Sequence, residues 1–132
     1  MADNLRLIGQ KIYMSKVTFE RKQDLPGNFQ VVVDDRISDV LINEEGISLR
    51  YIRHVSLKPE ALFDISVEFM YSSKFEQKSL EIIKNKKFEL DTATLQKIVV
   101  NSTMTQNASL IISTLTHING GNPLITPPKF CK

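Results

Sequence analysis

Two consecutive stretches of this chain alternate apolar and polar residues with period two. In the first, Ile47, Leu49, Tyr51, Val55 and Leu57 share a face; in the second, Phe63, Ile65, Val67, Phe69, Tyr71 and Phe75 do. Alternation over such a length belongs to strands, whose successive side chains point to opposite faces. Lys58-Pro59-Glu60-Ala61 between them supplies a short turn, so the two should pair as an antiparallel hairpin. The other face carries Ser48, Arg50, His54, Ser56, Asp64, Ser66, Glu68, Ser72 and Lys74, and is expected to meet water or a polar subunit contact. Ile52 and Met70 interrupt it, a sign that part of that face is covered.

Upstream, LRLIGQKIYMSKVTF reads as a long strand whose apolar phase changes. Ile8, Ile12 and Met14 fall on even positions, Val17 and Phe19 on odd ones, which suggests a bulge near Ser15-Lys16 or a strand covered on both faces. Leu25-Pro26-Gly27-Asn28 is a turn, after which FQVVV begins another extended stretch; from Asp34 to Glu45 the pattern fits strand and loop equally. Helix is expected near Asp91 to Asn101, with Leu95, Ile98 and Val99 on one stripe, then a break at NSTMTQN. A second helix from about Thr105 to Asn119 puts Ala108, Ile111, Ile112, Leu115 and Ile118 on one apolar face, and Gly120-Gly121 ends it. This stripe should pack on the sheet or on a second subunit.

The chain then runs into PLITPPKF, Pro123 to Phe130. Three prolines exclude helix, and Leu124, Ile125 and Phe130 would gain nothing from water, so the tail should dock on its own sheet, a second copy or a client polypeptide. Strands first and helices last give the α+β class, and 132 residues suit a single domain, 1–132.

Composition excludes more than it selects. A hydrophobic share of 42% with 24% charged residues is that of an ordinary soluble globule. No apolar run approaches a spanning length, and MADNLRLIGQ lacks the basic start and apolar stretch of a signal peptide, so a cytoplasmic protein without membrane insertion is expected. Seventeen basic and 15 acidic side chains are too balanced to argue for nucleic acid, and Lys84-Asn85-Lys86-Lys87 reads as a solvated turn. Cys131, the only cysteine, rules out an internal disulfide and a cysteine-based zinc site.

The chemistry expected of an enzyme is not visible. His54 and His117 have no carboxylate or second histidine at ligand spacing, and Gly120-Gly121 follows a helix instead of opening one, so no metal, phosphate or other cofactor is expected. Asp34-Asp35 and Glu44-Glu45 fall in turn-like, hydrophilic surroundings that keep carboxylates ordinary. What remains is more apolar surface than one small helix can hide, suited to a homo-oligomer contact or to an extended apolar peptide. The rival reading is an enzyme or ligand-binding domain whose site is assembled from residues distant in sequence; a structural oligomer without a client is a third.

Three segments resemble one family, the protein-export chaperone SecB and its relatives. IYMSKVTFE, Ile12 to Glu20, is similar to the family's first strand. VEFMYSSKF, Val67 to Phe75, is similar to its third-strand Val-Glu-x-x-Tyr-x-Gly-x-Phe, with Ser73 at the glycine. ASLIISTLTHINGG and the following Pro-Leu and Pro-Pro-Lys-Phe resemble the family's long helix, glycine stop and Leu-x-Pro-x-x-Phe segment. The resemblance implies a four-stranded antiparallel sheet followed by a long C-terminal helix and extended tail, and a dimer that pairs into a tetramer through helices. It also implies ATP-independent holding of unfolded or precursor polypeptides in apolar grooves, with no catalytic group. An antitoxin-specific role, known among SecB-like proteins, is the alternative.

On this reading the client contacts are Ile12, Met14, Ile52, Met70, Leu124, Ile125 and Phe130, and Ala108, Ile111, Leu115 and Ile118 form the helix packing or oligomer stripe. Glu20 and Glu68 match the family's acidic docking surface for the export motor ATPase, whereas Lys16 reverses a charge there and Ser66 replaces a leucine. The chain ends at Lys132, where export members continue into a second helix and an acidic tail.

Overall fold

A computed structural model of the chain describes residues 7–22, 30–42, 46–58, 63–76, 92–118 and 124–130. Four strands, β1 (Leu7–Arg21), β2 (Gln30–Ile42), β3 (Gly46–Lys58) and β4 (Phe63–Phe75), form one antiparallel sheet in the order β1-β4-β3-β2. Two helices follow, α1 (Thr92–Asn101) and α2 (Met104–Ile118). The α+β class is as the patterning requires, and the four-stranded antiparallel sheet is as the resemblance implies. The two helices expected from the apolar stripes are present, and the break between them is confined to Ser102 and Thr103.

The β3–β4 hairpin pairs as expected, with Val55 opposite Ile65 and Tyr51 opposite Phe69. Its odd-numbered residues form the core: Leu49, Tyr51, Val55, Ile65 and Val67 are wholly buried, joined by Val99, Met104, Ala108 and Ile112 from the helices. Both helices therefore lie on this side, the inner face, and neither covers the even-numbered outer face. There Ile52 and Met70 are half-buried. The hairpin's turn, the 25–28 turn, the Lys84–Lys87 run, Glu44-Glu45, the Gly120-Gly121 stop and Cys131 lie outside the described residues.

β1 carries the bulge expected near Ser15-Lys16, between Met14 and Lys16, and a second one between Ile8 and Lys11. Two phase shifts bring Leu7, Ile12, Val17 and Phe19 to the inner face and turn Ile8 outward opposite Lys74. Gly9 takes φ 61° in the second bulge, a conformation open to glycine and strained for residues with a Cβ. β2 continues as strand through Ile42, past an irregularity between Ser38 and Leu41 where Asp39 adopts φ 52°. Asp tolerates this left-handed geometry better than most residues.

The helix break is two residues long because one side chain satisfies both ends. Ser102 Oγ donates to Val99 O (2.6 Å) and accepts from Met104 N (3.2 Å), closing α1 and capping α2. The polar run Met104–Asn107 is thus the first turn of α2. Gly46 starts β3 against β4 so closely that an added Cβ would stand 1.9 Å from Ser73 O.

Candidate functional site

Asp34-Asp35, expected in a solvated turn, lies in β2. The strand's period of two places Asp35 inward with Val33 and Ile37, and Asp35 is 1% exposed. Its partner is Arg53, opposite it in β3 and 0% exposed, the one residue that breaks the apolar alternation of that strand. Arg53 Nε donates to Asp35 Oδ1 (2.7 Å) and Nη2 to Oδ2 (2.9 Å), a two-pronged ion pair. Tyr51 Oη donates to Oδ1 at 2.8 Å. Burial first, then the Asp35 carboxylate, push the Tyr51 pKa far above its ordinary value. For Arg53, burial alone would lower the pKa; the hydrogen bonds to Asp35 and its charge more than offset this, and the net direction is up.

This ion pair anchors the tail. Arg53 Nη1 donates to Thr126 O (2.8 Å) and to Ser109 Oγ of α2 (2.7 Å), and Ser109 Oγ donates to the same carbonyl at 2.6 Å. Beyond it, Asp35 N donates to Lys129 O and Lys129 N to Asp35 Oδ2, each 2.7 Å, so Phe130 forms an isolated parallel bridge with Asp35 on the free edge of β2. The Phe130 ring sits 6.4 Å from that of Tyr51. Leu124 N donates to Thr116 Oγ1 (2.9 Å), and Leu124 and Phe130 pack against the core. Of the three docks the sequence leaves open, the described tail occupies its own sheet. Of Leu124, Ile125 and Phe130, Ile125 points away, 82% exposed.

The residues expected to contact clients do not form one cluster. Phe130 lies at the β2 edge, and Leu124 and Ile125 lie beside α2, where Leu124 N meets Thr116. Ile12, half-buried against the core, and Met14, 50% exposed, lie on β1, the opposite edge, three strand spacings or roughly 14 Å away. Ile52 and Met70 are on the outer face. Of the helix stripe, Ala108 is buried in the core and Ile111 and Leu115 pack on it; the side chain of Ile118 lies outside the described residues. Exposed apolar side chains the sequence did not single out include Tyr13 (62%), Leu41 (60%) and Leu110 (66%).

Glu20 and Glu68 both reach the outer face, opposite Asp64 and Lys16 in register. Glu20 pairs with Lys22 (3.0 Å), and Glu68 accepts from Ser15 Oγ (2.7 Å) with Arg50 Nε at 3.7 Å. His54 does have a carboxylate partner: Asp64 Oδ1 is 2.5 Å from its Nε2 across the hairpin, an approach that pairing creates and linear spacing cannot show. His117 is exposed near the end of α2. An open trough of about 200 Å³ at one end of the sheet is lined by neither histidine. Among the described residues no group of three or more His, Cys, Asp or Glu side chains is placed to hold a metal ion, and no helix is long and apolar enough to cross a membrane.

A four-stranded antiparallel sheet with paired C-terminal helices on one face, closed by a tail on the edge strand, is an α+β architecture of the SecB-like kind. No protein-family model matches the sequence, and neither does any curated protein. Among solved structures the chain is similar to a SecB-like chaperone of Mycobacterium tuberculosis, determined in complex with a ChAD peptide from the HigA1 antitoxin. The match has a TM-score of 0.59 at 8% identity and covers 99% of this chain and 90% of that one. At this identity the likeness establishes the fold.

Proposed function

We propose that this chain is an ATP-independent chaperone of the SecB type, a single domain over residues 1–132, which holds non-native polypeptides and performs no chemistry on them. The observation that carries the reading is the fold it shares with a SecB-like chaperone along 99% of its length. Support comes from large apolar side chains left open, among them Met14 at 50% and Ile125 at 82% exposure. Adaptable apolar contacts beside strand edges are what promiscuous peptide recognition needs. Leu124, Ile125 and Phe130 form one client contact along the tail, Ile12 and Met14 a second at the β1 edge, and Ile52 and Met70 a third on the outer face.

The working form is a cytoplasmic homodimer or homotetramer, with α2 and its exposed Leu110 at the subunit contact. In the divergent member proposed here, an export motor ATPase would meet Glu20 and Glu68. Lys16, opposite Glu68 in register, opposes it, since a reversed charge in a complementary patch costs several kcal/mol. The peptide bound to the Mycobacterium tuberculosis protein favours a second reading, in which the client is one antitoxin and not general export cargo.

The test is to dilute an unfolded protein into this one without nucleotide and follow light scattering. Suppression at stoichiometric oligomer is expected; its absence refutes general holding, and protection of an antitoxin alone selects the second reading. Mass measurement in solution tests assembly, and a strict monomer would refute it.

A further inference from the structure

The trough of about 200 Å³ lies at the end of the outer face, away from the tail, and its lining includes Gly9, Lys11, Leu41, Ser48, Ser72 and Lys74. Its floor is one row across all four strands: Lys11 opposite Ser72, Ser72 opposite Ser48, Ser48 opposite Leu41. The concavity comes from side-chain size, serines on the central strands between a lysine and a leucine on the edges. The bulge at Gly9 creates the lysine's position, because it brings Lys11 onto the same face as Lys74.

The lysines of the trough differ from the other cations of this face. Elsewhere on the outer face Lys22 pairs with Glu20, Arg36 with Asp34, Arg50 with Asp39 and His54 with Asp64. Among the described residues neither Lys11 nor Lys74 has a carboxylate within ion-pair distance. Diagonal neighbours on adjacent strands stand about 7–8 Å apart, so both ammonium groups can reach one oxyanion, and two like charges that close disfavour each other until an anion joins them. The rest of the trough is of another character. Leu41 in its lining is 60% exposed, and Ile8, opposite Lys74 on the same face just outside it, 51% exposed. A free phosphate would leave these apolar groups uncovered, and the near-neutral charge balance argues against a nucleic acid backbone.

We infer that the trough binds an extended acidic polypeptide segment, with a carboxylate between Lys11 and Lys74 and an apolar side chain against Leu41. The row spans three strand spacings, roughly 14 Å, the reach of about four extended residues. The recognised segment is therefore a Glu or Asp followed or preceded by a Leu-like residue at a spacing of about three. This surface is separate from the apolar client contacts along the tail and does not depend on them.

The experiment is fluorescence anisotropy with the full chain and labelled dodecapeptides holding Glu and Leu three residues apart, against matched peptides with Gln for Glu or Ser for Leu. The Glu–Leu peptide should bind about tenfold more tightly than the Gln version, the sum expected of two solvent-exposed ion pairs, and raised salt should erase the difference. The double variant Lys11→Gln/Lys74→Gln should bind both versions equally, and Leu41→Ser should abolish the preference for Leu over Ser. Equal binding of the two peptides by the unsubstituted protein, or a preference surviving in the double variant, overturns the inference. So does displacement of the peptide by inorganic phosphate or a short oligonucleotide at lower concentration than by unlabelled peptide. Far-UV circular dichroism checks that the double variant folds. If it does not, the salt dependence and Leu41→Ser decide. Aggregation suppression should be unchanged in the double variant, so its loss in the unsubstituted protein would count against the holding function alone.

Discussion

Replacing Arg53 by Met removes the guanidinium and keeps much of the side-chain volume. It deletes two hydrogen bonds to Asp35 and those to Ser109 and Thr126, all between 2.7 and 3.2 Å. The Asp35 carboxylate, 1% exposed, then keeps only Tyr51 Oη and Lys129 N as donors, and a buried charge loses its counter-charge. Removal of one partner of such a pair destabilises by ~3–5 kcal/mol. Against a total of ~5–15 kcal/mol for a domain this is a large share, and the tail should detach before the sheet melts. Urea unfolding reads the first quantity. The second is read by hydrogen exchange at the Lys129 amide and by trypsin, which cleaves after Lys129 once Asp35 no longer holds both its N–H and its carbonyl. Asp35→Leu added to Arg53→Met should recover part of the loss, since no charge then stays buried alone. A midpoint shift worth under ~1 kcal/mol for Arg53→Met, or an unchanged exchange rate at Lys129, would refute the role given to this ion pair.

Gly46→Ala should cost at least ~2 kcal/mol in urea unfolding, because the new methyl meets a backbone oxygen that cannot rotate away; Gly9→Ala, where nothing lies within 4 Å, should cost only the ~1–2 kcal/mol of a left-handed backbone. Tyr51 has a folded pKa raised by burial, so its stabilisation is complete below its unfolded value near 10 and is lost as pH rises above it, at ~1.4 kcal/mol per pH unit. Tyr51→Phe should flatten the alkaline limb of stability measured by urea midpoints between about pH 8 and 11. Ile125→Ser should change stability by less than ~0.5 kcal/mol while weakening aggregation suppression, the signature of a side chain that serves contact and not folding.

The sheet could be read from the sequence wherever one face is dry. Residues 47–57 and 63–75 alternate because only their odd positions are buried, and the same alternation fixed the hairpin register. The bulge near Ser15 was visible as a phase change between Met14 and Val17. The bulge at Gly9 was not, because Leu7 and Ile8 are both apolar and either could have faced inward. The ion pair was hidden for a related reason. Asp35 by itself reads as part of a hydrophilic turn, and Arg53 falls unremarked at the gap in the apolar alternation of 47–57; only the pairing of β2 with β3 puts the charges opposite each other. The client residues chosen from sequence were apolar positions without an assigned core partner, and pairing then spread them over two edges and the outer face. No periodicity within a strand records which strand lies at an edge.

The bond between Lys129 and Asp35 joins residues 94 apart in sequence, whereas Ser109 and Thr126 are 17 apart. Closing the longer loop from an unfolded chain carries an entropy penalty of ~4 kcal/mol, the shorter ~2.5 kcal/mol. The smaller penalty predicts an order of assembly, in which the tail folds back on α2 first and the pair then reaches the edge of a sheet already built from neighbouring strands. Until that moment Arg53 and Asp35 face water at little cost, so the most polar part of the interior is sealed at the end of folding and contributes to holding the native state together more than to reaching it.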